Sequence, residues 1–299
     1  MKNQKMHDNF LFVINPIAGG KKKQDVPLLL GDFCKNNECL SQYYFTTGNA
    51  DKDLIQIKKS IENIKPDAVI AVGGDGTVNL TGELLVNSGL PLGIIPMGSS
   101  NGLSRDLNIP QSFEEALEVI KKFHLQPIDT LRVNGRNCFH ISDFGFNASV
   151  CSRFSESLLR GKISYVWYGL QEFFSFNPFE YKIQTEHQNI EGKAFMMTVT
   201  NSNRFGTNVN INPLGEIDDG FFEISIIKPF PKFRSLKILY YLLNNSIHKS
   251  TYNRVIRCRK AVIYNKERTS FHIDGEPVVL GEKVEIEIVP KGLNVITPV

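Results

Sequence analysis

Three times in its first hundred residues the chain runs a short apolar stretch into a glycine-bearing turn: NPIAGG at 15–20, GGDGT at 73–77 and GSSNG at 98–102. Strands that end in such turns and hand over to helical segments are the sequence form of β-α-β units, which restricts this half of the chain to an α/β fold with a parallel sheet. Strands are expected at Phe10 to Ile14, Gln42 to Thr46, Asp67 to Val72 and Pro91 to Pro96. Between them, Leu54, Ile57, Ile61 and Ile64 fall at spacings of three and four and predict one apolar helical stripe over Asp51 to Ile64. Val78 to Val86 and Phe113 to Phe123 read in the same way. In open α/β sheets, ligands bind at the carboxyl ends of the strands, where all three turns stand.

From about Ile128 the pattern changes to period two and β-branched runs: Arg132 to Val133, Phe139 to Ser142, Phe195 to Thr200, Phe221 to Ile227, Ala261 to Tyr264 and Lys283 to Val289. A mostly antiparallel, all-β sandwich is expected there, interrupted by helical stretches around Ile163 to Phe174 and Phe233 to Ser246. At 299 residues the chain is long enough for two cores. The expected division is 1–127 and 128–289, with 290–299 able to return to the first domain.

Three glycines within Gly73-Gly74-Asp75-Gly76-Thr77 let the backbone turn sharply and allow a polyphosphate to approach main-chain N–H groups, and the helix that follows offers a positive dipole end. A tight strand-to-helix turn would need glycines too. Asp75, an anion where an anion should bind, points further, to a group that manages a metal ion or takes a proton. In the third loop Ser99, Ser100 and Asn101 are small donors, and Arg105 can add charge or simply be an exposed helical arginine. In the first, Asn15 precedes Gly19, Gly20 and Lys21, but Lys21 is followed by Lys22, so the Walker pattern is absent. The dinucleotide fingerprint is absent as well.

NPIAGG, GGDGT and PMGSSNGLSRDL, in this order, resemble the nucleotide-binding signatures of the diacylglycerol kinase catalytic domain, which is shared with sphingosine and ceramide kinases and with bacterial lipid kinases. The resemblance continues through Ile128-Asp129, Gly145-Phe146-Asn147-Ala148, Asn201 with Asn203, Asp218-Asp219-Gly220 and Asp274-Gly275-Glu276. It implies an NAD kinase/diacylglycerol kinase-like α/β domain that holds ATP at Gly73 to Thr77 and Ser99 to Asn101, with Asn15 and Gly19 to Lys21 nearby. It also implies a β domain that presents a lipid hydroxyl. The aspartate matching Asp129 is implied to organise Mg²⁺ and water. Bacterial members place the base at the pair matching Asp274 and Glu276, whereas sphingosine kinases use the aspartate matching Asp75. One departure is visible: Gly102 stands where many bacterial members have aspartate, and sphingolipid kinases lack that aspartate too, so the lipid class stays open. An NAD kinase, which shares GGDG, and a regulator that has lost catalysis are the rival readings.

Read without the family, HIDGEP sits between two β runs, so Asp274 and Glu276 flank a hinge glycine. The same DG is an ordinary hairpin signal. Asp218-Asp219-Gly220 is equally an acidic metal turn or a plain one, and His272 reads as structural. Tyr165, Trp167, Tyr168, Phe173, Phe174, Phe176 and Phe179 read as core packing or as an acyl-chain pocket.

A formal charge of +3 is too small to imply nucleic acid as a partner. The runs Lys21 to Lys23 and Arg254, Arg257, Arg259 and Lys260 either are solvated charged faces or meet phosphates or anionic head groups. The five cysteines are scattered, odd in number and without metal or redox spacing, so they read as free intracellular thiols. No stretch approaches the ~20 apolar residues of a membrane span. The expectation is a cytoplasmic protein that touches the inner face of the membrane from outside and acts on a lipid there, with a homodimer left open.

Overall fold

The computed structural model describes residues 9–18, 25–156, 168–169, 171–173, 175–201, 212, 215–267, 269–279 and 281–299, the side chains of 152–156 excepted. The chain forms two units, 1–128 with 291–299, and 129–290.

In the first unit, β1 (Asn9–Ile14) pairs in parallel with β2 (Leu40–Phe45) on one side and β3 (Ala68–Gly73) on the other. β3 pairs in parallel with β4 (Leu92–Pro96), and beyond β4 the chain returns at Val295 opposite Leu92. All six residues of β3 are buried, as a parallel strand covered on both faces requires. The edge strand β2 alternates exposed and half-buried residues. The helices are α1 (Val26–Asn36), α2 (Ala50–Ile64), α3 (Asp75–Leu85), α4 (Gly102–Asp106) and α5 (Phe113–Lys122). Phe10, Phe12, Ile70, Ile95, Leu30 and Ile120 meet in one apolar core. Truncating the fully buried Phe12 to Ala would cost about 3–5 kcal/mol.

The second unit is a sandwich. One sheet has the order β12-β11-β10-β7-β14-β15, antiparallel throughout: β7 (Ile141–Gly145), β10 (Met196–Thr200), β11 (Phe222–Ile227), β12 (Asn253–Cys258), β14 (Phe271–Ile273) and β15 (Glu276–Val278). The other carries β9 (Asn189–Ala194), β8 (Phe179–Thr185), β13 (Lys260–Tyr264) and the first half of β16 (Lys283–Ile296); β5 (Leu125–Val133) and β6 (Arg136–Cys138) form a hairpin. Phe144, Phe222, Ile224, Val199, Ile263 and Val284 pack between them. α6 (Phe146–Glu156) follows β7, and α7 (Ser235–Leu243) lies between β11 and β12.

The expected fold class, an α/β domain followed by a β sandwich, is the one observed. Two boundaries differ for physical reasons. The strand expected at Phe139 begins at Ile141, because the N–H groups of 139–141 turn toward the Asp274 carboxylate. The helix expected at Val78 begins at Asp75, inside the glycine loop itself. The helix expected at Ile163 to Phe174 lies largely outside the described residues.

Asp53, 1% exposed on α2, fixes the turn between β2 and α2. Its carboxylate accepts hydrogen bonds from the Tyr44 hydroxyl at 2.7 Å, the Thr47 N–H at 3.0 Å and the Thr47 hydroxyl at 2.8 Å. Burial pushes its pKa up, but these bonds, Tyr44's foremost, outweigh it and hold the pKa below the usual value. A depressed native pKa contributes stability that is full above the unfolded value of about 3.9 and is lost as pH falls through the native one. Asp53→Asn should therefore lower the urea midpoint at neutral pH and flatten the loss of stability below about pH 4, read from urea melts across the acid range.

Candidate functional site

β1, β3 and β4 are neighbours in the sheet, so the loops that follow them share one edge. Their backbones are tied together. The Asn15 N–H donates to the Val72 carbonyl at 3.0 Å, and the Met97 N–H donates to the Gly73 carbonyl at 2.7 Å. The strongest tie is a side chain: Asp75, in the first turn of α3, accepts from the Gly102 N–H at 2.7 Å through Oδ1 and from the Asn101 N–H at 2.9 Å through Oδ2. It caps α4 with a charge, where the helix dipole favours an anion. Asp75 thus answers the puzzle of an acid in an anion loop: it binds N–H groups of the neighbouring loop.

Asn101 sits in the left-handed region at φ 54°, a conformation asparagine tolerates better than most. Its side-chain oxygen accepts from the Gly98 N–H at 2.9 Å, and its amide donates to the Gly98 carbonyl at 2.9 Å and to Gln111 at 3.0 Å. Arg105 donates through Nε to the Ser100 carbonyl at 2.8 Å, so it braces the loop. Asn15 accepts from the Ile17 N–H at 3.0 Å, closing its own turn. Gly74 and Gly98 lie back to back: a Cβ on Gly98 would stand 2.6 Å from the Gly74 Cα. In the second and third loops Gly76 and Ser99 face solvent. Gly19, Gly20 and Lys21 lie outside the described residues.

In the second unit, Asp274 and Gly275 form the two-residue turn of the β14–β15 hairpin, with φ 50° and 85°. That left-handed pair is the hairpin geometry DG favours. The Asp274 carboxylate also accepts from the N–H groups of Phe139, His140 and Ile141, each at 2.9 Å, and from the Cys138 thiol at 3.4 Å. Burial first, and then Asp274's charge, push the Cys138 thiol's pKa well above its usual range. Glu276, two residues on, is exposed, and its carboxylate has no partner among the described residues.

Sequence reasoning missed what lies beneath this turn. Asp143, fully buried on β7, accepts from His272 Nε2 at 2.9 Å, from Asn147 at 2.6 Å and from the Thr198 hydroxyl. The other ring nitrogen of His272 accepts from the Gly275 N–H at 3.2 Å. Asp274 and His272 therefore grip the turn through separate atoms. An aspartate inside the buried run Ile141–Gly145 was the available signal.

Asp129 is 1% exposed; its Oδ2 accepts from the Gly220 N–H at 2.6 Å and its N–H donates to the Ile217 carbonyl at 2.9 Å. Asp219 accepts from the Phe221 N–H at 2.9 Å and pairs with Arg257, while Asp218 is exposed. These carboxylates hold a turn. Among the described residues no three His, Cys, Asp or Glu groups converge as a metal cage would require, and magnesium held chiefly by a nucleotide's phosphates needs only one or two carboxylates.

The sequence profile described as the diacylglycerol kinase catalytic domain matches residues 9–133, and that described as the YegS C-terminal NAD kinase beta sandwich-like domain matches 141–297. The chain belongs to the family of the second profile, which spans just over half of it, and its first half carries the diacylglycerol kinase catalytic domain. "Probable lipid kinase YegS" of Salmonella newport is 27% identical over 237 residues, 76% of this chain and 77% of that one. "Uncharacterized protein sll0036" of Synechocystis is 26% identical, covering 96% of this chain and 70% of its own. A crystal structure of a diacylglycerol kinase from Bacillus anthracis superposes with a TM-score of 0.70 over 97% of both chains at 21% identity, a likeness of fold. Membership makes the chain an enzyme of a kinase family.

Gly98→Ala tests the loop junction. The added methyl meets backbone, which cannot swing aside, so the variant should lose roughly 1–3 kcal/mol, whereas Gly76→Ala, helical and with open space around its Cβ, should gain up to about 1 kcal/mol. Urea midpoints of the two variants measure the difference.

Proposed function

We propose that this enzyme transfers the γ-phosphate of ATP to the hydroxyl of a membrane lipid, diacylglycerol foremost, giving phosphatidic acid and ADP. The observation that carries the reading is the Asp75 bridge, which holds two glycine-bearing loops at the carboxyl edge of a parallel sheet in a chain of a kinase family.

Within this reading, the loops of 73–77 and 98–102 receive the phosphates. Gly76 and Ser99 offer an uncrowded approach, and the start of α3 supplies a positive dipole end. Glu276 is the base: its carboxylate takes the hydroxyl proton as the lipid oxygen bonds to the γ-phosphorus and the bond to the β–γ bridging oxygen breaks. Asp274, already engaged with three N–H groups, positions the turn that carries Glu276. Asp75 acts by fixing the loops. Magnesium would accompany ATP, held mainly by the phosphates, which need only one or two carboxylates in addition.

We place the enzyme on the cytoplasmic face of the membrane as a peripheral protein. Among the described residues no helix is long and apolar enough to cross a bilayer, and the apolar helix α7 is exposed. Because the second profile is described as NAD kinase beta sandwich-like, NAD is the competing acceptor.

The test is transfer of labelled γ-phosphate, with magnesium, into diacylglycerol, phosphatidylglycerol, a sphingoid base and NAD in parallel. Diacylglycerol should be labelled fastest. Glu276→Gln should lower kcat roughly 10²–10⁴-fold without changing the melting temperature. Asp274→Asn should lower stability, by about 1–3 kcal/mol, as well as activity. Labelling of NAD alone would replace the reading, and full activity in Glu276→Gln would remove the assigned base.

A further inference from the structure

The sequence of α7, SLKILYYLL, is apolar on almost every side, yet the helix is not buried. Ile238 is buried, and Tyr241 and Leu242 are half-buried. Leu236, Leu239, Tyr240 and Leu243 face outward at 77%, 48%, 61% and 54% exposure, and Phe233, just before the helix, is 80% exposed. Residues 233, 236, 240 and 243 follow the three-four-three spacing of one helical stripe. A helix that is hydrophobic all round belongs in a core or against something apolar, and a contiguous exposed apolar patch of this kind marks an interaction site.

The charge around the stripe is one-sided. From Lys228 to Ser250, the segment that leads into and out of α7, the chain holds five Lys or Arg and no Asp or Glu. Beside α7, a recess of about 60 Å³ is lined by Arg234, Lys237 and Lys249 together with Ser250, Thr251 and Tyr252. Three cations and adjacent hydroxyls are a donor set for a phosphate. The Arg234 guanidinium lies 5.8 Å from the Tyr252 ring centre, which steadies it on that wall.

We infer that Phe233 and α7 form a docking surface for an anionic lipid bilayer: Phe233, Leu236, Tyr240 and Leu243 insert at the acyl boundary while Arg234, Lys237 and Lys249 meet head-group phosphates. A short helix with apolar side chains projecting and Lys and Arg at its margin is the composition of an interfacial anchor. A second copy of the chain fits less well, because a two-fold contact would set this basic margin against itself. The inference gives the proposed lipid kinase its route to substrate and rests on that reading for its purpose. Its test does not.

The experiment is co-sedimentation of the full chain with vesicles of phosphatidylcholine alone or with added phosphatidylglycerol. It compares the parent protein with Leu236→Ser/Leu243→Ser and with Lys237→Glu/Lys249→Glu, all checked by circular dichroism. The parent should bind the anionic vesicles and release with salt. The charge-reversal variant should bind roughly tenfold more weakly or worse, and the serine variant should lose the binding that survives high salt. Turnover of a short-chain, water-soluble diacylglycerol should be unchanged in both variants, while turnover of vesicle-embedded diacylglycerol falls. If no acceptor is labelled but anionic vesicles still bind, the kinase reading fails and the docking surface stands. The inference is overturned if the parent ignores anionic vesicles, if all three proteins bind alike, or if light scattering finds a dimer that the serine variant splits.

Discussion

Two hydrogen bonds from the backbone of one loop to the carboxylate of another organise the first unit's functional edge. Asp75 stands at the start of α3 and receives the N–H groups of Asn101 and Gly102 at the start of α4. Gly74 and Gly98 approach closely at the same junction, and the left-handed Asn101 and the brace from Arg105 shape the loop that donates to Asp75. A neutral side chain would supply the contact with fewer acceptors and no charge for the helix end. A longer acid would not leave the two glycines back to back. The apolar sheet beneath gives the loops a rigid base, because all of β3 and β4 is buried.

The second unit solves a similar problem. A two-residue hairpin turn is made into a fixed platform by anchoring both its ends: Asp274 on the N–H groups of 139–141, and Gly275 on His272, which is itself held by the buried Asp143. A partly satisfied polar cluster would be costly in such a core, so the matching donors Thr198 and Asn147 are part of the device. In both units, acidic residues that sequence alone marks as chemical spend their oxygens on backbone N–H groups. Glu276, on the same hairpin, stays exposed.

The strands, the period change and the three loops could be read directly from the sequence, because buried parallel strands are unbroken apolar runs and sandwich strands alternate. The role of Asp75 could not, since its partners lie 26 and 27 residues away and are backbone atoms that any residue supplies. The same holds for Asp274, whose donors lie more than 130 residues earlier. The basic run Arg254 to Lys260, open in sequence between a solvated face and an anion patch, is largely the edge strand β12, where Arg257 pairs with Asp219 and Glu223 and stacks 4.2 Å from the Phe221 ring centre. Charged residues on an edge strand also keep it from pairing with other chains. The apolar surface of α7 was hidden for the opposite reason: a stretch such as LKILYYLL reads as core until its neighbours are known.

The central claim is that the loops tied by Asp75 receive the phosphates of a nucleotide. Amide hydrogen exchange, read residue by residue with and without ATP and magnesium, tests it most directly. Slowed exchange is expected at residues 73–77 and 98–102 in the parent protein, lost in Asp75→Ala while β1 and β3 stay protected. Protection confined to other segments, or unchanged in Asp75→Ala, would contradict it.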